Sequence, residues 1–150
     1  MMERLGFSCK WIKWIKACME SATISILVNG SPTEEFKPKR SLRQGDPLAP
    51  FLFLIIVEGL TRLVREAKRA SLFNGVEVGT QRVHVDLLQF ADDTLFFYEP
   101  SYHNVLVVKA ILRSFELVSG LKVNFHKSVI GFVGVSQLDN LVYSKCLNCR

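Results

Sequence analysis

The sequence lacks the features that would direct a chain out of the cell or into a bilayer. Lys10, Lys13 and Lys16 interrupt the stretch after residues 1–5 where a signal peptide would need its apolar core. The longest apolar run, residues 47–57, is about half of what a membrane-crossing helix requires. An intracellular chain with no membrane partner is therefore expected. Cysteine is scarce, limited to Cys9, Cys18, Cys146 and Cys149. Cys146-x-x-Cys149 has metal or redox spacing, but no second Cys or His pair answers it, so reduced, unligated thiols are expected. There is no internal repeat and no low-complexity linker, which excludes a solenoid or a string of small modules. Disorder is excluded too, since 49% of the 150 residues are hydrophobic and 22% charged. One domain with one sizeable core fits this length, and two independent domains do not.

The net charge of +5 is too small to mark a uniformly basic nucleic-acid coat. Its distribution is more informative. Residues 1–43 hold eight basic and four acidic side chains, residues 44–100 five and eight, and residues 101–150 six and two. An acidic middle lies between basic ends, as in a metal site set within a polyanion-binding surface.

Helical spacing of Leu5, Cys9, Ile12, Ile15 and Met19 predicts a helix over residues 3–20. Residues 23–28 alternate as a strand does. Asn29-Gly30 is a strong hairpin turn, and residues 35–38 can return as its partner. Asp46 is placed to cap the next helix, with Pro47 and Pro50 in or near its first turn. That helix is apolar on all sides to Val57 and amphipathic from Glu58 to Ala70. Strand-like runs follow at residues 75–78, 83–90 and 94–98. Ser101 can cap a helix that Gly120 ends, and residues 121–125 and 129–135 read as closing strands. The predicted class is α+β, helices covering an antiparallel sheet.

Phe90-Ala91-Asp92-Asp93 carries the sharpest chemistry. Two carboxylates sit at the tip of a hairpin with apolar arms, and no Lys or Arg lies between Arg82 and Lys109. Two like charges about 4 Å apart repel by about 1 kcal/mol in bulk water and by several times that near a protein surface. A divalent cation would relieve this. Mg²⁺ suits one or two carboxylates together with substrate phosphates, and a pair of such ions can activate a hydroxyl and stabilise a leaving oxyanion. Asp is also common in turns for purely conformational reasons, so the pair alone does not define a site.

The pair stands in a longer order: Ser41-Leu42-Arg43-Gln44-Gly45-Asp46-Pro47-Leu48-Ala49-Pro50, a long helix, Phe90-Ala91-Asp92-Asp93, then Gly120-Leu121-Lys122-Val123-Asn124-Phe125-His126-Lys127-Ser128. Together with Gly6-Phe7-Ser8 and Val28-Asn29-Gly30-Ser31-Pro32, this resembles the reverse transcriptase of non-LTR (LINE-like) retrotransposons. The resemblance covers roughly residues 5–135. It implies a partial right-hand polymerase palm over residues 1–135, its antiparallel sheet carrying helices on one face, followed by a 136–150 tail of unclear role. It implies RNA-directed DNA polymerase chemistry, with RNA template, DNA primer and deoxynucleoside triphosphates as partners. Asp92 and Asp93 are then the catalytic, Mg²⁺-binding pair, with Asp92 the ligand and Asp93 its acidic neighbour. Phe90 and Ala91 flank them. Arg43, Gln44 and Gly45 form the loop beside nucleotide and template, and Lys127 lies near the triphosphate.

Two departures qualify this. Ala49 replaces the family's usual Ser, which removes a possible capping hydroxyl. The family's first catalytic aspartate, on a strand before the Gly6-Phe7 helix, has no matching position here. The alternative expectation is therefore a catalytically inactive remnant, at most a nucleic-acid-binding module.

Overall fold

A computed structural model of the chain describes residues 2–37 and 45–149. The elements are α1 (Cys9–Glu20), β1 (Leu27–Val28), β2 (Ser31–Pro32), α2 (Leu48–Arg69), β3 (Val76–Val78), β4 (Val83–Val85), β5 (Leu87–Phe90), β6 (Asp93–Phe96), α3 (Tyr102–Ser119) and α4 (Gln137–Leu147). The α+β class stands. The chain divides into two compact units, Met1–Ile55 and Ile56–Arg150.

In the first unit, the helix expected over residues 3–20 is split. Met2–Leu5 form a 3₁₀ turn, Gly6 takes φ 85°, and Ser8 starts α1 by accepting the Trp11 N–H at 3.3 Å. A left-handed glycine followed by a capping serine ends one helix and starts another. Phe7 and Trp11 meet the Phe51 ring edge-on at 6.2 and 6.1 Å, and Ile15 is buried. Asn29 and Gly30 both take positive φ, 51° and 83°, as a two-residue hairpin loop of type I′ requires. That loop fixes Val28 opposite Ser31, so the return arm begins at Ser31 rather than residue 35, and an Ile24–Phe36 bridge closes it. Asp46 Oδ1 accepts the Leu48 N–H at 2.8 Å, which provides the cap of α2 without a hydroxyl at Ala49. Pro50 falls in the first turn, where a missing N–H costs no helical bond.

The second unit is built on Leu60 and Val64 of α2, Phe73, Val105, Val108, Ile111 and Phe115 of α3, and Tyr143 and Leu147 of α4. Ser101 caps α3 through the Asn104 N–H, and Gly120 ends it at φ 74°. Residues 136–150, expected as a tail, include a capped helix: Ser136 accepts the Asp139 N–H at 3.2 Å, and Tyr143 and Leu147 are buried one turn apart.

Residues 121–125 and 129–135 do not form the expected closing strands. Glu116 Oε1 takes the Val123 N–H at 2.8 Å, and the Asn124 carbonyl takes the Lys127 and Ser128 N–H groups at 3.1 Å. These donors are satisfied locally, so no ladder needs them. Ile130, Phe132 and Val135 still pack against the core. The run 83–90 also divides. β4 pairs with β3, β5 pairs with β6, and Asp86 between them turns its carboxylate onto Lys68 Nζ at 2.7 and 3.0 Å. That carboxylate lies where a Cβ on Gly75 would stand. Among the described residues the strands make three separate two-stranded antiparallel ladders, not one sheet. No helix among them is long and apolar enough to cross a membrane.

Candidate active site

In the second unit Phe90 pairs with Asp93, leaving Ala91-Asp92 as a two-residue loop. Strand alternation sorts the arms by face. Leu87 and Phe96 pack on the core, with Gln89 and Thr94 half-buried beside them. Leu88, Phe90, Leu95 and Asp93 face outward, and Phe90 is 84% exposed. The inner face is fixed to α2 by Thr61 Oγ1, which donates to Gln89 Oε1 at 3.1 Å. Gln89 Nε2 is buried with no partner among the described residues.

The tip itself is strained. Ala91 takes φ 51°, a left-handed conformation that costs a residue with a Cβ about 1–2 kcal/mol. Asp92 and Asp93 are both exposed, and no Lys, Arg or His among the described residues pairs with either carboxylate. Two adjacent hard oxygen donors without a counter-charge suit a hard cation. They do not enclose one, since no three His, Cys, Asp or Glu side chains gather anywhere among the described residues.

Of the other expected site residues, Gly45 belongs to the first unit and Lys127 to the second. Gly45 is exposed and takes φ 83°, which a side chain would disfavour. Arg43 and Gln44 lie outside the described residues. Lys127 is exposed on the turn that Asn124 closes, with no carboxylate partner among the described residues. Sequence reasoning missed Thr61 and Asp86 as residues that hold the hairpin. A single polar Gln89 within an apolar arm was the available sign of the first. Beyond β6, burial pushes the Tyr98 hydroxyl up to about 12, with Cys149 and Cys146 adding to the rise. All four cysteines are free thiols.

The family described as reverse transcriptase (RNA-dependent DNA polymerase) matches residues 2–143. The chain belongs to this family. Among relatives of this reverse transcriptase chain, the Pol polyprotein of the type-2 retrotransposable element R2DM from Drosophila melanogaster is 30% identical over 117 residues, covering 78% of the chain and 10% of that protein. The Pol polyprotein of a type-1 element R2 from Popillia japonica is 30% identical over 131 residues, covering 85% of the chain and 17% of that protein. An uncharacterized mitochondrial protein of Arabidopsis thaliana is 41% identical over 68 residues, 45% of the chain and 56% of its own length. The reverse transcriptase resemblance read from the motifs is borne out, and the chain spans a small part of the two Pol polyproteins.

Proposed function

We propose that residues 1–135 form part of the palm of a non-LTR retrotransposon reverse transcriptase, with residues 136–150 an appended segment that carries α4. In this reading Asp92 and Asp93 present one strand's share of the metal ligands. The observation that carries it is the pair of exposed, uncompensated carboxylates at the tip of a strained hairpin, in a chain of this family. Asp92 would hold Mg²⁺, with Asp93 beside it. The metal would supply charge neutralisation for a primer 3′-hydroxyl attacking the α-phosphate of a deoxynucleoside triphosphate. Phe90 and Ala91 shape the tip. Arg43, Gln44 and Gly45 would face nucleotide and template, and Lys127 the triphosphate. The hairpin's own contribution is positioning: core packing through Leu87 and Phe96, and the Thr61–Gln89 bond, hold the carboxylates on a rigid support.

A second reading concerns these 150 residues by themselves. No three-ligand cluster exists among the described residues. On their own they bind a metal weakly and extend no primer. Two measurements test this. Mn²⁺ should broaden the amide signals of Ala91, Asp92 and Asp93, and Asp92→Asn should remove the broadening. Uniform broadening, or none, would refute the ligand role. Primer extension on an RNA template with Mg²⁺ should be absent. Extension that Asp92→Ala abolishes would overturn the inactive reading and establish the polymerase.

A further inference from the structure

We propose that the outer face of α1 is a binding surface for single-stranded nucleic acid, with Lys10, Lys13 and Lys16 meeting phosphates and the Trp14 indole stacking on a base. Lys10, Lys13 and Trp14 stand at helix spacings of three and four, so they share one face, and Lys16 flanks it. Ile15 is buried, and Trp11 turns onto Phe51. Trp14 is 56% exposed, although it carries one of the largest apolar surfaces of any side chain. Lys10 Nζ sits over the Trp14 ring, 5.0 Å from its centre, so a cation already rests on one face of an aromatic side chain that is otherwise largely exposed.

The lysines are available. Among the described residues, neither Lys10 nor Lys13 has a carboxylate within pairing distance, and Lys16 meets Glu20 only at 3.7 Å with both side chains well exposed. On α2, by contrast, Arg65 and Arg69 each meet a glutamate, Glu58 and Glu66, and Arg62 alone of the three arginines has no carboxylate partner among the described residues. A cationic face with an interleaved aromatic matches the two demands of a single strand, a charged backbone and bases with free π-faces. An acidic protein would use the lysines and leave the indole without a role. A membrane surface would need the apolar side of the helix, which faces Phe51. The proposal rests on the reverse transcriptase reading for the kind of polyanion, and on α1 itself for the site.

Fluorescence anisotropy of labelled oligouridine about twenty nucleotides long tests it, with salt varied between about 50 and 200 mM. The full chain should bind with a salt dependence that falls by about 1.4 in slope when Lys10→Gln and Lys13→Gln are combined. Trp14→Ala should weaken binding about tenfold, and Trp14→Phe should restore most of it. Unchanged melting of each variant confirms that the loss is one of binding. Oligouridine binding that ignores all these substitutions overturns the proposal and leaves the reverse transcriptase reading intact. A Trp14→Ala defect of equal size with heparin, which has no bases, overturns the stacking role. Polyglutamate binding as tight as oligouridine binding overturns the nucleic-acid assignment in favour of an acidic protein. Mn²⁺ broadening at Asp92 reads the active-site hypothesis separately, so the two can fail independently.

Discussion

Asn104 grips the backbone of Asn74 with both ends of its side-chain amide. Its Oδ1 accepts the Asn74 N–H at 3.1 Å, and its Nδ2 donates to the Asn74 carbonyl at 3.3 Å and to the Glu99 carbonyl at 2.9 Å. Asn104 is 1% exposed, so water cannot replace it. One side chain of α3 thus secures the segment after α2 and the segment after β6, which bracket the aspartate hairpin. Replacing Asn104 with Ala takes the partner from the Asn74 N–H and the Glu99 carbonyl, while the Asn74 carbonyl keeps the Glu99 N–H at 3.0 Å. A loss of about 1–3 kcal/mol is expected in urea unfolding. Asn104→Asp should be no better, because it sets an acceptor against two carbonyls. A loss below about 0.5 kcal/mol in both variants would contradict the clamp.

The hairpin tip supplies a test of opposite sign. Ala91 occupies a left-handed conformation at φ 51°, and glycine adopts it without a Cβ clash. Ala91→Gly should therefore stabilise the chain by about 1 kcal/mol after allowing for the greater freedom of glycine in the unfolded state. The corresponding rise in Tm is about 3 °C. A lower Tm would show that the loop is unstrained.

Titration should limit stability at both ends of the pH scale. The Tyr98 hydroxyl is pushed up to about 12, first by burial and then by Cys149 and Cys146, and burial also raises the Cys149 thiol. Both groups stay neutral in the folded chain at a pH where the unfolded chain ionises them. Their stabilisation is complete below the unfolded values and is lost as pH climbs from about 9 to 12. Glu116 behaves oppositely. The Val123 N–H, and then Arg113, hold its carboxyl below the ordinary 4.5. Its contribution is present above that value and disappears as pH falls below it. In Tm–pH profiles, Tyr98→Phe should flatten the alkaline limb and Glu116→Gln the acid limb. Limbs parallel to those of the unaltered chain would show that neither group is coupled to folding.

The sequence by itself determined what neighbouring residues settle among themselves. Asn29-Gly30 must turn, Ser101 and Gly120 must bound a helix, Asp46 must cap one, and Ala91-Asp92-Asp93 must sit between two apolar arms. Each depends on φ preferences or a cap bond within a few residues. The order of the motifs likewise established the reverse transcriptase family, without reference to a fold. Tertiary structure decided what depends on residues distant in the chain. Residues 83–90 change partners at Asp86 because Lys68 and Gly75, from elsewhere in the sequence, accommodate its carboxylate. Residues 121–125 leave the ladder because Glu116 takes the Val123 N–H. The segment Gln137–Leu147 becomes a helix because Tyr143 and Leu147 find a core to fill, a weak periodic signal until α3 stands opposite. Local backbone preferences act over a few residues and can be read in order, whereas burial and long-range hydrogen bonding require the partner to be in place.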